Sequence, residues 1–323
     1  MEKFQFITHL KHDPFFNLAS EEYLLKQKDG CYIYLWINAP AVIIGVNQNA
    51  IEEVNLGYAE ENGIKVVRRL TGGGAVYHDL NNICYTVIAP YNSDENTFQK
   101  FSSPVIEYLR SLGLNAEFSG RNDILVDGKK VSGVAETVHK NRIMHHGTLM
   151  FDTDTSILTK VLTPNKLKIE SKGIKSVRSR VTNIREYLKN TSIEEFFTGL
   201  KKVFLKDALP YEFSEQDLNS INALVNEKYS SYLWNIGRSP KGKNKFEAKF
   251  SFGVLKINFN TESGFMKDVG ISGDFFCLKP IEELENKLNG SEFSRAGVLN
   301  ALNGVESIIL GANATEIADK MFG

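Results

Sequence analysis

The chain has 323 residues, 42% of them hydrophobic, which exceeds what one average domain needs and can bury a sizeable core. Lys+Arg 38 against Asp+Glu 39 leaves it near neutral, so overall charge gives no drive toward nucleic acid or an anionic membrane. Cys31, Cys84 and Cys277 form no Cys-x-x-Cys pair, Met1-Glu2-Lys3-Phe4 opens no signal peptide, and no apolar run nears the ~18 residues of a membrane span; a soluble, cytoplasmic protein without disulfides or a zinc site is expected.

Asp13-Pro14 is a helix-opening pair, and Phe15, Leu18, Ala19, Tyr23 and Leu25 follow at near-helical spacing, predicting a first helix that stops by Gly30. Four short runs rich in β-branched and aromatic residues come next: Tyr32 to Ile37, Val42 to Val46, Ile64 to Val67 and Ile83 to Ala89. They read as strands of one sheet. Phe98, Phe101, Val105, Leu109 and Leu112 mark a second helix, which Gly113 terminates and which covers one face of that sheet. Asp127-Gly128 between Ile124-Leu125-Val126 and Val131 is a two-residue hairpin signal. A strand from Ile143 to Phe151 follows, and Thr191-x-x-Glu194 and Ser214-x-x-Asp217 look like capping boxes opening two more helices.

Between Arg238 and Lys245 the composition turns hydrophilic without apolar periodicity, which suits an exposed linker. We expect two domains, residues 1–240 and 247–323. The second has alternating Leu255, Ile257 and Phe259, a turn at Glu262-Ser263-Gly264, and helical patterns from Pro280 to Leu288 and at the C-terminus. Both units read as α+β, and no internal repeat is present.

Three polar clusters carry chemistry. Arg68-Arg69-Leu70-Thr71-Gly72-Gly73-Gly74-Ala75-Val76-Tyr77-His78-Asp79 directly follows a predicted strand. Consecutive glycines cost conformational entropy and persist where backbone turns sharply or approaches a ligand, and exposed amides with a nearby guanidinium suit phosphate oxygens. An ordinary strand-to-strand turn is the competing reading; the flanking arginines and histidine weigh against it. Neither the dinucleotide-binding Gly-x-Gly-x-x-Gly nor a phosphate loop ending in Gly-Lys-Ser/Thr occurs. In the second cluster, Gly120-Arg121-Asn122-Asp123 leads through the hairpin to Lys129-Lys130-Val131-Ser132-Gly133, so Asp123 and Lys130 come close across it, unless the lysines are only a solvated tip. The third is His145-His146-Gly147-Thr148 within a strand, where adjacent histidines face opposite ways and do not readily share a metal.

In this order, and joined by Lys172-Gly173-Ile174-Lys175-Ser176-Val177-Arg178-Ser179-Arg180-Val181-Thr182-Asn183, these motifs resemble the lipoate–protein ligase family from Asp13 to Asn183, in its long form with a C-terminal accessory domain. The resemblance implies a mixed-sheet catalytic domain of the kind shared with biotin ligases. It also implies a two-step reaction: lipoate and ATP give lipoyl-AMP and pyrophosphate, and a carrier lysine then takes the acyl group. Implied carriers are the glycine cleavage H protein and the lipoyl domains of 2-oxoacid dehydrogenases. The family's invariant lysine maps to Lys130, an ammonium for electrostatic stabilisation rather than a base. By the same carry-over Arg69, Gly74, Ala75, Val76, Tyr77, His78, Asn122, Asp123 and Lys130 hold ATP or the adenylate. Asp123 reaches the phosphates through Mg²⁺, an oxygen-seeking ion. Lys130, Gly72, Gly73, His146 and Gly147 attend the lipoate.

One departure stands out. Many bacterial members continue Ser-Gly with Ser-Ala-Tyr-Arg, whereas this chain has Val134-Ala135-Glu136-Thr137, which removes an arginine contact and adds a negative charge near the adenylate. That bears on acyl preference and affinity, not on reaction class. From Lys160 to Lys189 nine Lys or Arg face Glu170 and Glu186, which reads either as a solvated face or as steering for an acidic carrier. The alternative function is a lipoyl or octanoyl amidotransferase of the same superfamily working without ATP, which needs a cysteine thiolate after the hairpin lysine; none is present there.

Overall fold

The computed structural model describes residues 3–120, 122–162, 181–237 and 242–322. Strand β1 (Phe4–Thr8) leads into α1 (Pro14–Lys26), whose N-cap Asp13 accepts from the Phe15 amide with Pro14 in the first turn. This helix is buried almost all round, Asn17, Ser20, Glu21 and Glu22 included. Buried carboxylates persist only when partnered. Glu22 pairs with Lys26 and Lys228, and Glu21 accepts from Thr86 and His146.

β2 (Tyr32–Ile37) follows, then β3 (Ala41–Ile44), short helices α2 (Ala50–Glu53) and α3 (Leu56–Glu61), β4 (Lys65–Arg68), β5 (Val76–His78) and β6 (Asn82–Pro90). The expectation of one sheet fails here. β2 and β6 pair with each other in a large sheet, whereas β3 turns away after Asn38-Ala39-Pro40 and is flanked by parallel β4 and antiparallel β5 in a separate three-stranded sheet. β4 and β5 therefore lie on opposite sides of β3, and the glycine segment must arch over its end.

Next come α4 (Thr97–Ser111), ending before Gly113 at φ +83°, and β7 (Ala116–Ser119), β8 (Asp123–Val126), β9 (Lys129–His139) and β10 (Arg142–Met150). The β8–β9 turn has positive φ at both Asp127 (48°) and Gly128 (74°), as the Asp-Gly pair predicts. Helices α5 (Thr155–Val161) and α6 (Ile193–Leu205), strand β11 (Ala208–Pro210) and helix α7 (Glu215–Leu224) complete this part. The large sheet has the order β11-β1-β2-β6-β10-β9-β8-β7, parallel at its β11-β1-β2 end and antiparallel beyond. One face packs on α4 and α6 through Leu35, Tyr85, Val105 and Phe196; the other, carrying Tyr34, Trp36, Cys84 and Met144, packs on α1 and the small sheet.

Two local expectations shift. The capping box of α6 is Ser192 with Glu195, one residue later than expected, because Ser192 has the extended backbone that lets its hydroxyl reach the Glu195 amide; that of α7 is Ser214 with Asp217 as predicted. The hydrophilic stretch gives way to strand at Asn244, so Lys245 is already paired with Asn258; residues 238–241 lie outside the described set. Strands β12 (Asn244–Phe250), β13 (Gly253–Glu262) and β14 (Phe265–Gly273) form an antiparallel sheet over helices α8 (Glu282–Leu288), α9 (Arg295–Ala301) and α10 (Ala314–Phe322), with their own core of Leu255, Ile257, Phe275, Leu284 and Val298. Among the described residues no helix is long and apolar enough to cross a membrane.

Candidate active site

A cavity of about 400 Å³ lies between the small sheet and the second face of the large one. Lys130 and Asp123 form one wall. Asp123 pairs with Gly133 and Lys130 with Leu125, and a bulge in β9 between these registers keeps both side chains on one face. Their charges meet at 2.6 Å, and Gly133 leaves the room the ammonium occupies, since a Cβ there would stand 3.1 Å from Lys130 Nζ. Asp123 Oδ1 is buried and makes no aligned hydrogen bond even to that lysine, so it retains acceptor capacity. Lys129, by contrast, is exposed at the turn. Asn122 also lines the cavity, but its side chain donates to the Val134 carbonyl and holds the β8–β9 edge. Arg121 lies outside the described residues, as does the Lys172-to-Asn183 motif up to residue 180.

The opposite wall is the glycine arch. Gly73 has φ +89°, a backbone region that favours glycine, and a Cβ on Gly72 would overlap the Phe275 carbonyl. Arg69 organises the arch from beneath: its guanidinium donates to Thr71 Oγ1 (2.9 Å) and to the carbonyls of Ile43 (3.1 Å), Gly72 (2.6 Å) and Gly74 (2.9 Å). Burial lowers its pKa to about 10, with Glu21 opposing, so it stays cationic at neutral pH. Thr71 Oγ1 also meets His146 Nε2 at 2.8 Å, and His146 Nδ1 donates to Glu21 at 2.9 Å, which ties the arch to the large sheet. Arg69 thus reaches the cavity mainly through the backbone it shapes. The neighbouring Arg68 is fully buried and binds the carbonyls of Gly45, Val46, Gln48, Trp234 and Asn235.

His78 is buried beside this wall, and burial, reinforced by cationic Arg69 and then by His146, pushes its pKa down to about 3, leaving a neutral ring. Cys84 shares the lining; burial, and then Glu21, raises its thiol well above the usual range, so no thiolate forms near neutral pH. Among the described residues no group of three His, Cys, Asp or Glu could hold a metal, and the cavity's lining carboxylates are Asp123, beside Lys130, and Asp274.

Of the predicted residues, Arg69, Gly73, Gly74, Ala75, Val76, His78, Asn122, Asp123, Lys130, His146 and Gly147 line this cavity together. Tyr77 and Gly72 do not. Alternation along β5 turns the Tyr77 ring into the cluster with Val42 and Ile44, and Gly72 is backed by Phe275. Gly147 contributes backbone, with the Tyr85 ring filling the space its missing side chain leaves. Glu136 does not bring its charge to the cavity: it pairs in register with His145, on the other face, and accepts from His145 Nδ1 (2.8 Å) and Thr97 (2.7 Å). The sequence reading missed the apolar lining by Leu18, Trp36 and Ile43, and also Asp274 and Phe276, which reach the cavity from the C-terminal part. Core spacing resembles lining spacing, and two residues some 200 positions from the arch leave no local signal. Glu21 was detectable as a charge inside an apolar helix.

The catalytic-domain model described as lipoyl protein ligase A/B matches residues 13–205, and that of the bacterial lipoate protein ligase C-terminus matches residues 239–321. Lipoate-protein ligase LplJ of Bacillus subtilis is 44% identical over 303 residues, covering 91% of this chain and 92% of its own. The crystal structure of P. falciparum LipL1 in complex with lipoate superposes with a TM-score of 0.80 at 28% identity over 98% of both chains. A crystal structure of lipoate-protein ligase A bound with ATP gives 0.64 at 30% identity, covering 73% of this chain and 99% of that one.

Proposed function

The chain belongs to the lipoate–protein ligase family, and we propose that its cavity joins lipoate to AMP and then passes the acyl group to a carrier lysine. One observation carries this reading: a cationic Lys130 and a backbone arch fixed by Arg69 form opposite walls of one cavity, whose remaining lining includes apolar Leu18, Trp36 and Ile43. The apolar part suits the acyl chain and the polar part the nucleotide.

In the first step a lipoate carboxylate oxygen bonds to the α-phosphorus of ATP while the bond to pyrophosphate breaks. Charge on the phosphate and carboxylate is balanced by the Lys130 ammonium, already oriented beside Asp123. Arch amides near Gly74 to Val76 receive the nucleotide. Asp123 fits Mg²⁺ held mainly by phosphate and water, a metal that would further neutralise phosphate charge. In the second step the carrier's lysine nitrogen attacks the acyl carbon, the carbon–oxygen bond to AMP breaks, and the amine loses a proton. Lipoyl domains and the H protein are the carriers this reading assigns, and the cytoplasm is its compartment.

We assign catalysis to residues 1–240 and an accessory role to residues 247–323, which supply Asp274 and Phe276 to the lining. Amidotransfer through a thiolate is disfavoured, because the lining cysteine, Cys84, is buried with its thiol held protonated. The test is direct. Purified protein with ATP, lipoate and a lipoyl domain should release pyrophosphate and yield lipoylated domain; acyl transfer without ATP, or ATP use without lipoate dependence, would overturn the reading.

A further inference from the structure

Asp79 and Asn183 each end a sequence motif, and neither lines the cavity. Hydrogen bonds nevertheless join both to its walls. The backbone of Lys130 is gripped from both edges of β9. On one edge it faces Leu125 of β8, beside the bulge that disrupts the ladder there. On the other edge β10 pairs no further than Val134, opposite Gly147. Val181 takes over, bridging Lys130 in parallel, and the Thr182 amide donates to the Lys130 carbonyl (2.9 Å).

Asn183 locks this segment to the chain just past β10. Its Oδ1 accepts from the Thr153 amide (3.1 Å) and its Nδ2 donates to the Thr153 carbonyl (3.0 Å), so one side chain pairs with both backbone groups of one residue. The next amide, that of Asp154, donates to Asp79 Oδ2 (2.9 Å), and Asp79 Oδ1 accepts from the Asn81 amide (2.9 Å). Asp79 directly follows β5, whose Val76 and His78 line the cavity beside the glycine arch. From Lys130 to Asp79 every link is a hydrogen bond or a peptide bond. Thr182, Thr153 and Asp79 are buried, so water competes little for these bonds.

We propose that Asn183 and Asp79 are positioning residues that brace the Lys130 wall against the arch and so set where the ammonium stands. The inference rests on the reading of Lys130 as the cation that stabilises adenylate formation. Preorganised charge helps only where it is already aimed, and a misplacement of about 1 Å costs on the order of 100-fold in rate. Asp123 and the room over Gly133 steer the tip of the side chain. The brace fixes the backbone from which that side chain extends. Because neither Asn183 nor Asp79 lines the cavity, losing either should slow the chemical step and spare substrate binding.

A double-mutant cycle with Lys130→Ala separates positioning from general damage. Asn183→Ala strands both Thr153 backbone groups. Its kcat for lipoate-dependent pyrophosphate release should fall on the order of 10- to 100-fold, while KM for ATP and lipoate stays within about threefold. In the Lys130→Ala background the same substitution should cost less than about twofold, because the ammonium it positions is gone. Asp79→Asn offers one oxygen where two amides each need one, and should show the same pattern with a loss of about tenfold. Exchange of the Thr182 amide should be at least about tenfold faster in Asn183→Ala than in wild type. Equal losses in both backgrounds, a loss confined to KM, or unchanged Thr182 exchange overturns the proposal. If Asn183→Ala does not fold, the Asp79→Asn cycle decides. If wild type releases no pyrophosphate the ligase reading fails instead, and Thr182 exchange alone then tests the brace.

Discussion

Lys130 Nζ stands 2.6 Å from Asp123 Oδ1 although the two residues are not cross-strand partners, because a bulge in β9 sets Asp123 against Gly133 and leaves the lysine free to lean over that glycine. Both side chains are about one-third exposed, so their mutual attraction adds little to stability. Their importance lies in where the ammonium is held. Lys130→Ala should lower pyrophosphate release about 100-fold or more while leaving thermal unfolding within a degree or two of wild type. Lys129→Ala, at the exposed turn, is the control and should be near wild type; equal losses in both would mean the bulge does not select the functional lysine.

Arg69 predicts the reverse pattern, a structural loss that becomes a functional one. Its guanidinium reaches Thr71 and three carbonyls on two sides of the arch, a span that one ammonium does not cover. Arg69→Lys keeps the charge but strands buried carbonyls, so it should destabilise by about 2–4 kcal/mol and raise KM for ATP. Urea unfolding monitored alongside steady-state kinetics checks both. A variant as stable as wild type but inactive would instead give Arg69 a direct role in catalysis.

The difference between these two residues shows what local sequence can convey. Asp127-Gly128 dictates its turn, and the turn brings Lys130 near Asp123, so that pair was legible from spacing alone. Arg69 was legible as important, but whether its donors meet a ligand or the arch depends on the small sheet, and the division into two sheets follows from a change of direction after Ile37 that strand propensity does not encode. Glu136 was misplaced for a related reason: strand register decides which face a charge occupies, and His145 fixes that register from another strand. Asp274 and Phe276 join the site through tertiary contact, beyond the reach of any local pattern.

Acid sensitivity should trace to Asp217. This carboxylate is buried at the start of α7, and although burial works against its charge, hydrogen bonds from Lys28, Tyr211 and Tyr23 hold its pKa well below the usual carboxylate range. A depressed folded-state pKa contributes stability above the unfolded value of about 4 and loses it as pH falls from there toward the folded value. Asp217→Asn should therefore cost about 3 kcal/mol at pH 7, and the gap from wild type should narrow below about pH 4. Denaturant titrations at pH 7, 5, 4 and 3 would reveal it; a gap that stays constant over that range would assign the cost to packing alone.

The contact between the arch and the C-terminal part rests on a missing side chain. A Cβ on Gly72 would overlap the Phe275 carbonyl and come within 3.0 Å of the Phe276 Cα, and backbone cannot rotate aside as a long side chain can. Phe276 is further held against Phe98, with ring centroids 6.0 Å apart, and the Gly273 amide donates to the Asn47 carbonyl. Gly72→Ala should cost about 1–3 kcal/mol and raise hydrogen exchange around residues 70–75 and 272–277. If exchange rises in the arch alone, the two segments are not mechanically coupled.

Carrier recognition should respond to salt in a way that adenylate formation does not. The nine Lys or Arg between Lys160 and Lys189 outnumber the two glutamates there in a chain that is near neutral overall, so this run is a local source of electrostatic attraction for an acidic domain. Residues 163–180 lie outside the described set, and the prediction rests on composition and solution behaviour. Attraction between two protein surfaces acts over a screening length of about 10 Å at 0.1 M salt and about 3 Å at 1 M, whereas a small substrate enclosed beside Lys130 is screened far less. Raising salt from about 0.05 to 0.5 M should lower kcat/KM for the lipoyl domain about tenfold while changing lipoate-dependent pyrophosphate release less than about twofold. Replacing Lys160, Arg185 and Lys189 with glutamine should flatten the first dependence and leave the second unchanged. Equal salt sensitivity of the two half-reactions would remove carrier steering from the account, and the basic run would then be an ordinary solvated face.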